Sequence, residues 1–333
     1  MNSYERYIAM IEGQPVDVLP RIPILMHFAA RYAGITYETF ARDPKAMADV
    51  NIRLVEDFGF EQLDIMSDPY REATGFGAEL RYQEFAPPRC MKPPLSDAKD
   101  LALLAQPDPR RCERMAGALE VIAAYKAYGY KRYSITGWVE GPAASGANLR
   151  GVQQFLMDGY EDEAFMCELM DVALDCAIAY AEAQIAEGAD TIGIGDAIAS
   201  QMPPGMYGQF VVPRQKRLIE AIHAAGAYAR LHICGDTTHL LPHMTELAID
   251  IIDLDWMVDM AHARAVLGPR VVLTGNLNPV SAIMNSDPES IQEAFRAIYA
   301  SVGKPYFVNG GCEIPADTSH ENLRAVCAPI PAF

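Results

Sequence analysis

Short runs of β-forming residues return along this 333-residue chain. Each is separated from the next by a stretch long enough to make a crossover helix, a pattern that calls for a parallel sheet covered by helices. Strands are expected at Arg21–His27, Gln62–Ser67, Arg132–Trp138, Asp190–Ile194, Tyr228–Ile233, Asp250–Leu254, Arg270–Leu273 and Tyr306–Asn309. Between them, Ala164–Glu187 carries Phe165, Leu169, Val172, Cys176, Ala179, Ala183 and Ala186 at steps of three or four. Ser290–Val302, after Asp287-Pro288, is a second amphipathic helix. This alternation predicts an α/β fold, a TIM (β/α)8 barrel with an N-terminal helical extension, built as a single domain over residues 1–333. A doubly wound open sheet is the rival, but the glycine-rich dinucleotide and phosphate-binding fingerprints are missing and no long polar linker divides the chain. The proline-rich stretch Ala86–Pro94 reads as a rigid surface loop.

Charge and cysteine usage narrow the partners. Forty-four acidic residues against 27 basic give a net charge of −17, so nothing here holds a nucleic-acid backbone. Seven scattered cysteines are too sparse for a secreted disulfide scaffold and fit a reducing compartment. No apolar run approaches the roughly 18 residues of a membrane helix, and no secretory leader is visible. A soluble, cytoplasmic protein is expected.

In such a barrel the chemistry sits at the C-terminal ends of the strands. Those ends carry His27, Ser67-Asp68, Glu140-Gly141-Pro142, Asp196, His232 with Cys234-Gly235, Asp255, Gly275-Asn276 and Gly310-Gly311-Cys312-Glu313. A strand's period of two puts His232 and Cys234 on one face, and Cys312 ends the last strand across the mouth. One imidazole and two thiolates suit zinc, with one coordination position left open. Spacing alone leaves the bland reading standing, because buried cysteines commonly act as small hydrophobes. Cys90, Cys112, Cys167, Cys176 and Cys327 are read as packing or surface residues. His239 and His243 lack the glutamate of a zinc-protease helix and are read as solvent-facing or capping.

The blocks Arg21–Tyr32, Gly188–Asp196 and Asn309–Thr318, the last followed by Glu321–Ala325, resemble those of the uroporphyrinogen decarboxylase superfamily nearly end to end. Two chemistries are known there. The decarboxylase branch uses a first-strand Arg-x-x-x-Arg pair, an aspartate, a tyrosine and a Gly-His-Gly histidine. In this chain His27 replaces the first arginine, Arg31 remains, Asp68 matches the aspartate, no tyrosine follows Gly141-Pro142, and Cys312 takes the place of the histidine. The cobalamin-dependent methyltransferase branch has His-x-Cys and a distant Gly-Cys-Glu-(Ile/Val)-Pro, which His232, Cys234 and Cys312 match.

The resemblance implies a zinc-dependent methyltransferase that moves a methyl group between a corrinoid (methylcobalamin) protein, supplied in trans, and a small substrate. A thiol acceptor is favoured over a methylated oxygen or nitrogen donor, because two thiolates reduce zinc's Lewis acidity but keep a bound sulfur electron-rich. The metal set would be His232, Cys234 and Cys312. Asp196, Glu140 and Asp68 are the candidate catalytic groups, with Asp196, Glu140 and Glu313 able to serve as fourth ligand or to orient His232. Asn276 and His27 are the candidate cofactor-binding positions. The alternatives are a metal-free uroporphyrinogen-type decarboxylase, which needs a cationic pocket, and a non-catalytic protein that sequesters a metal or corrinoid.

Overall fold

A computed structural model describes residues 1–333. Seven parallel strands form one curled sheet: β1 (Gln62–Asp64), β4 (Ser134–Glu140), β5 (Thr191–Gly195), β6 (Tyr228–His232), β7 (Ile251–Asp253), β8 (Val272–Thr274) and β9 (Tyr306–Phe307), neighbours in that order. A separate antiparallel hairpin, β2 (Glu79–Arg81) with β3 (Arg89–Lys92), follows β1. Crossover helices include Glu113–Gly129, Glu163–Glu187, Val212–Ala224, Met260–Leu267 and Pro288–Val302. No helix is long and apolar enough to cross a membrane.

Two expectations are corrected. The apolar run Arg21–His27 is not a strand: Arg21 alone makes a bridge, to Val308, and His27 lies on a helix, Met26–Ala33. Pro20 and Pro23 supply no N–H on either side of the bridge, so a ladder cannot extend there. Even so, this segment reaches both edges of the sheet, since Ile22 N donates to Val308 O at 2.9 Å and Glu61 N donates to Arg21 O at 3.0 Å. The proline-rich loop, for its part, contains β3, because Arg89–Lys92 between its prolines keeps the N–H groups that pair with Glu79–Arg81.

Elsewhere the expected strands appear with shifted ends, and β4 runs on to Glu140. The long helix Glu163–Glu187 buries Phe165, Leu169, Ala173, Cys176, Tyr180 and Gln184, while Ala179 and Ala186 of the expected stripe face solvent. Its Gln184 is completely buried and clamps β4 from outside, accepting from Trp138 N at 2.8 Å and donating to Trp138 O at 3.0 Å.

Before the sheet, helix Ser3–Ile11 packs Tyr7 against Phe307 and donates from the Tyr7 hydroxyl to Thr191 Oγ1, at the start of β5. Its Arg6 shares the fully buried Glu61 with Arg21: Arg6 Nη1 lies 2.8 Å and Arg21 Nη2 2.5 Å from Glu61 Oε1. One carboxylate therefore staples the N-terminal helix, the Arg21 segment and the approach to β1. Glu61→Ala would leave two buried guanidinium groups without their shared counter-charge and is expected to cost about 3–5 kcal/mol. Denaturant unfolding checks this, and a loss under about 1 kcal/mol would show that the staple is dispensable.

Candidate metal centre

At the C-terminal end of the sheet His232, the last residue of β6, is followed two positions on by Cys234, and Cys312 arrives from the segment after β9. Their ligand atoms all lie within 4.8 Å of one another. Cys234 Sγ is 3.6 Å from Cys312 Sγ, and His232 Nε2 is 3.1 Å from Cys234 Sγ and 3.9 Å from Cys312 Sγ. Tetrahedral zinc, at about 2.3 Å from sulfur and about 2.05 Å from nitrogen, would separate two sulfurs by about 3.8 Å and sulfur from nitrogen by about 3.6 Å. The three donors thus fit one tetrahedral ion with a fourth position to spare.

His232 presents Nε2 because its other nitrogen is engaged. Nδ1 lies 2.9 Å from Asp253 Oδ2, on the adjacent strand and in register with His232. Asp253 in turn is gripped by the fully buried Arg230, whose Nε reaches both carboxylate oxygens at 3.0 and 2.9 Å. Burial opposes ionisation of Asp253, but Arg230 and His232 overcome it and hold the carboxyl below its ordinary range. Burial likewise opposes charge on His232, yet the neighbouring Cys234, Asp253 and Cys312 push the imidazole well above its usual range. Asp253, the last residue of β7, was passed over in the sequence for Asp255, two positions beyond the strand.

The donors open onto a cavity of about 200 Å³. Met26, Met66, Trp138 and Val139 give it apolar walls, and Glu72, Glu140, Asp68 and Glu313 give it acidic ones. Trp138 fits because the neighbouring strand carries Gly193, where a Cβ would lie 2.4 Å from the indole ring. Its ring also stands edge-on to His232, with centroids 6.2 Å apart.

The other sequence candidates separate into two groups. Glu140 and Asp68 line the cavity. Burial and the adjacent Glu72 push the Glu140 carboxyl well above its ordinary range, and Glu72 Oε1 accepts from Glu140 N at 2.8 Å. Asp68 is locked by Arg114 at 2.6 and 2.7 Å. By contrast, Asp196 is fully buried, accepting from Ala144 N and Gln215 Nε2. Asn276 spends its amide on the carbonyls of Asp255 and Val258. His27 Nδ1 pairs with Glu313 Oε1 at 2.7 Å, with its ring beside Tyr37. Arg31 stands on the surface with Asp317. His239 bonds to Met202 O and His243 packs on Tyr207, so neither joins a metal cluster.

A sequence profile of the uroporphyrinogen decarboxylase (URO-D) family matches residues 2–331. The chain belongs to the uroporphyrinogen decarboxylase family. Among its relatives, the methylcobamide:CoM methyltransferase MtbA of Methanosarcina mazei is 27% identical over 329 residues, 96% of this chain and 95% of that one. A uroporphyrinogen decarboxylase of Anaeromyxobacter sp. is 26% identical over 349 residues, covering 98% of each. Overall identity therefore does not choose between the family's chemistries. In structure, a methyltransferase from Methanosarcina mazei superposes with a TM-score of 0.90 at 23% identity over 98% of this chain and 97% of that one, a likeness that fixes the fold.

The donor set makes its own prediction about thiol chemistry. A hydrogen bond from Cys234 and the neighbouring His232 outweigh burial and push the Cys312 thiol down to about 4, while the same hydrogen bond, with burial, pushes the Cys234 thiol up. In chelator-treated protein Cys312 is expected to react with iodoacetamide at pH 6 nearly as fast as at pH 8, with Cys234 unmodified. Peptide mapping reads both sites. Labelling of Cys312 that appears only above pH 8 would contradict the assignment.

Proposed function

We propose that this protein is a zinc-dependent methyltransferase that moves a methyl group between a corrinoid protein, docking in trans, and a small thiol. The observation that carries the reading is the convergence of His232 Nε2, Cys234 Sγ and Cys312 Sγ at one point on the cavity wall. The curated relatives include both methylcobamide:CoM methyltransferases and decarboxylases, and this donor set favours the former. For the fold we adopt the closed (β/α)8 barrel, with Pro20–Ile22 in the eighth position and helix Ser3–Ile11 as an extension beneath it.

His232, Cys234 and Cys312 would hold the zinc. Bound there, zinc supplies a Lewis-acid position that keeps a substrate sulfur as thiolate at neutral pH, where a free thiol near pKa 8.5 is mostly protonated. Everything else falls to the chain. Asp253 and Arg230 fix the tautomer and orientation of His232. Trp138, Met66 and Met26 exclude water from one side of the sulfur. Glu140, whose carboxyl burial and Glu72 push up, lines the cavity. Transfer to a bound thiol would form one C–S bond as the methyl–corrinoid bond breaks, the electron pair of that bond remaining with the corrinoid and the thiol proton going to solvent.

A metal-free decarboxylase would need free cations for several carboxylates. Arg71 is the one arginine that lines the cavity, while Arg114 is paired with Asp68 and Arg31 with Asp317. One arginine is too few cations for a polyanionic tetrapyrrole.

Purified protein is expected to contain one zinc per chain, to lose it on Cys312→Ser, and to demethylate methylcobalamin in the presence of a panel of thiols. Metal analysis and the visible spectrum of the corrinoid test both. Metal-free protein that consumes a porphyrinogen would establish the decarboxylase instead. Asp253→Asn is expected to weaken zinc binding about 10- to 100-fold, read by competition with a chromophoric chelator, and an unchanged affinity would remove Asp253 from the site.

A further inference from the structure

We propose that the loop after β7, which exposes Trp256 and Met257 and whose backbone packs against Gly311 next to Cys312, is the surface on which the corrin ring of the methyl donor docks. The inference rests on the methyltransferase reading and deepens it by assigning the second substrate a face.

Single exposed apolar residues are ordinary on any protein surface. This pair differs in how it is held. Trp256 is 49% exposed and Met257 42%, whereas their neighbours Asp255 and Val258 are 6% and 3% exposed. The loop between those anchors is tied down from below, because Asn276 Nδ2 donates to Asp255 O at 3.0 Å and to Val258 O at 2.7 Å. A fraying loop would not carry two buried side-chain bonds across four residues. The exposure of Trp256 and Met257 is therefore built into the fold, at the cost of hydrating a large apolar area.

Position supplies the occupant. The backbone before Cys312 passes so near the loop that a Cβ on Gly311 would lie 2.4 Å from Trp256 N. The carboxylate of Asp255 accepts from Trp256 N and from Gly235 N, each at 2.7 Å, and so joins the exposed loop to the residue after Cys234. Both sulfur ligands thus neighbour the loop in the chain fold. Cobalt carried in a corrin on a docking protein reaches the donors across the rim beside this loop. An apolar planar ring arriving there meets an exposed indole and thioether, the side chains that best cover such a face.

The test uses the zinc-loaded full chain with methylcobalamin and a reactive thiol and, in separate thiol-free titrations, hydroxocobalamin as a corrinoid with no methyl group to transfer. Trp256→Ala is expected to raise the KM for methylcobalamin and the Kd for hydroxocobalamin about tenfold. Zinc content and the KM for the thiol should stay as in the parent, and Trp256→Phe should recover most of the loss. Binding is read by corrinoid absorbance after rapid ultrafiltration, and circular dichroism verifies the fold of each variant. Unchanged corrinoid KM and Kd in Trp256→Ala overturn the docking assignment, as does an equal loss of zinc or thiol binding. If hydroxocobalamin binding weakens in the variant but the parent transfers no methyl group to any thiol, the docking face stands and the methyltransferase reading falls.

Discussion

The candidate site depends on a buried ion pair. Arg230 is completely inaccessible and Asp253 nearly so, and burying them costs several kcal/mol that their attraction only partly offsets. A hydrophobic pair of the same volume would serve stability as well. What the pair provides is position: Arg230 keeps Asp253 anionic, Asp253 holds His232 by Nδ1, and Nε2 is left facing the sulfurs. Arg230 is also braced by Gln62 Oε1 at 2.9 Å and by the face of Trp138 at 5.2 Å, so β1 and β4, which do not flank β6, also contribute to aiming one imidazole.

Much of this was legible before any fold was known, and the parts that were not share a cause. Period-two alternation placed His232 and Cys234 on one face, and the parallel strand pattern brought Cys312 to the same end of the sheet. Asp253 was missed because its significance lies in register across two strands, Asp253 opposite His232, which one chain's periodicity does not reveal. Asp196 and Asn276 drew attention for the opposite reason. Polar residues at strand ends do structural work as often as chemical work, here fastening Ala144 and the Asp255–Val258 loop. The first apolar run failed as a strand because its prolines, legible in the sequence, outweigh the apolar character of their neighbours.

Family membership explains the scaffold and leaves the chemistry to the rim. Methyltransferases and decarboxylases stand at 27% and 26% identity to this chain, so overall similarity does not select the reaction. Methyl transfer therefore has to be decided locally, by soft donors at tetrahedral spacing and by a cavity in which Arg71 is the only arginine, Arg114 and Arg31 being paired with Asp68 and Asp317.

The acidic wall also bears on which thiols fit. Glu72 and Glu140 lie side by side, and burial raises both, so the pair carries less negative charge than two free glutamates would. Asp68 retains its charge but is matched by Arg114. Burial and pairing thus lessen the negative charge that these acids present to the cavity. A largely apolar cavity with its acids raised or paired repels an electron-rich sulfur less than free carboxylates would. The negative charge of two coordinating thiolates would then be offset by the divalent metal they bind, with His232 a neutral ligand.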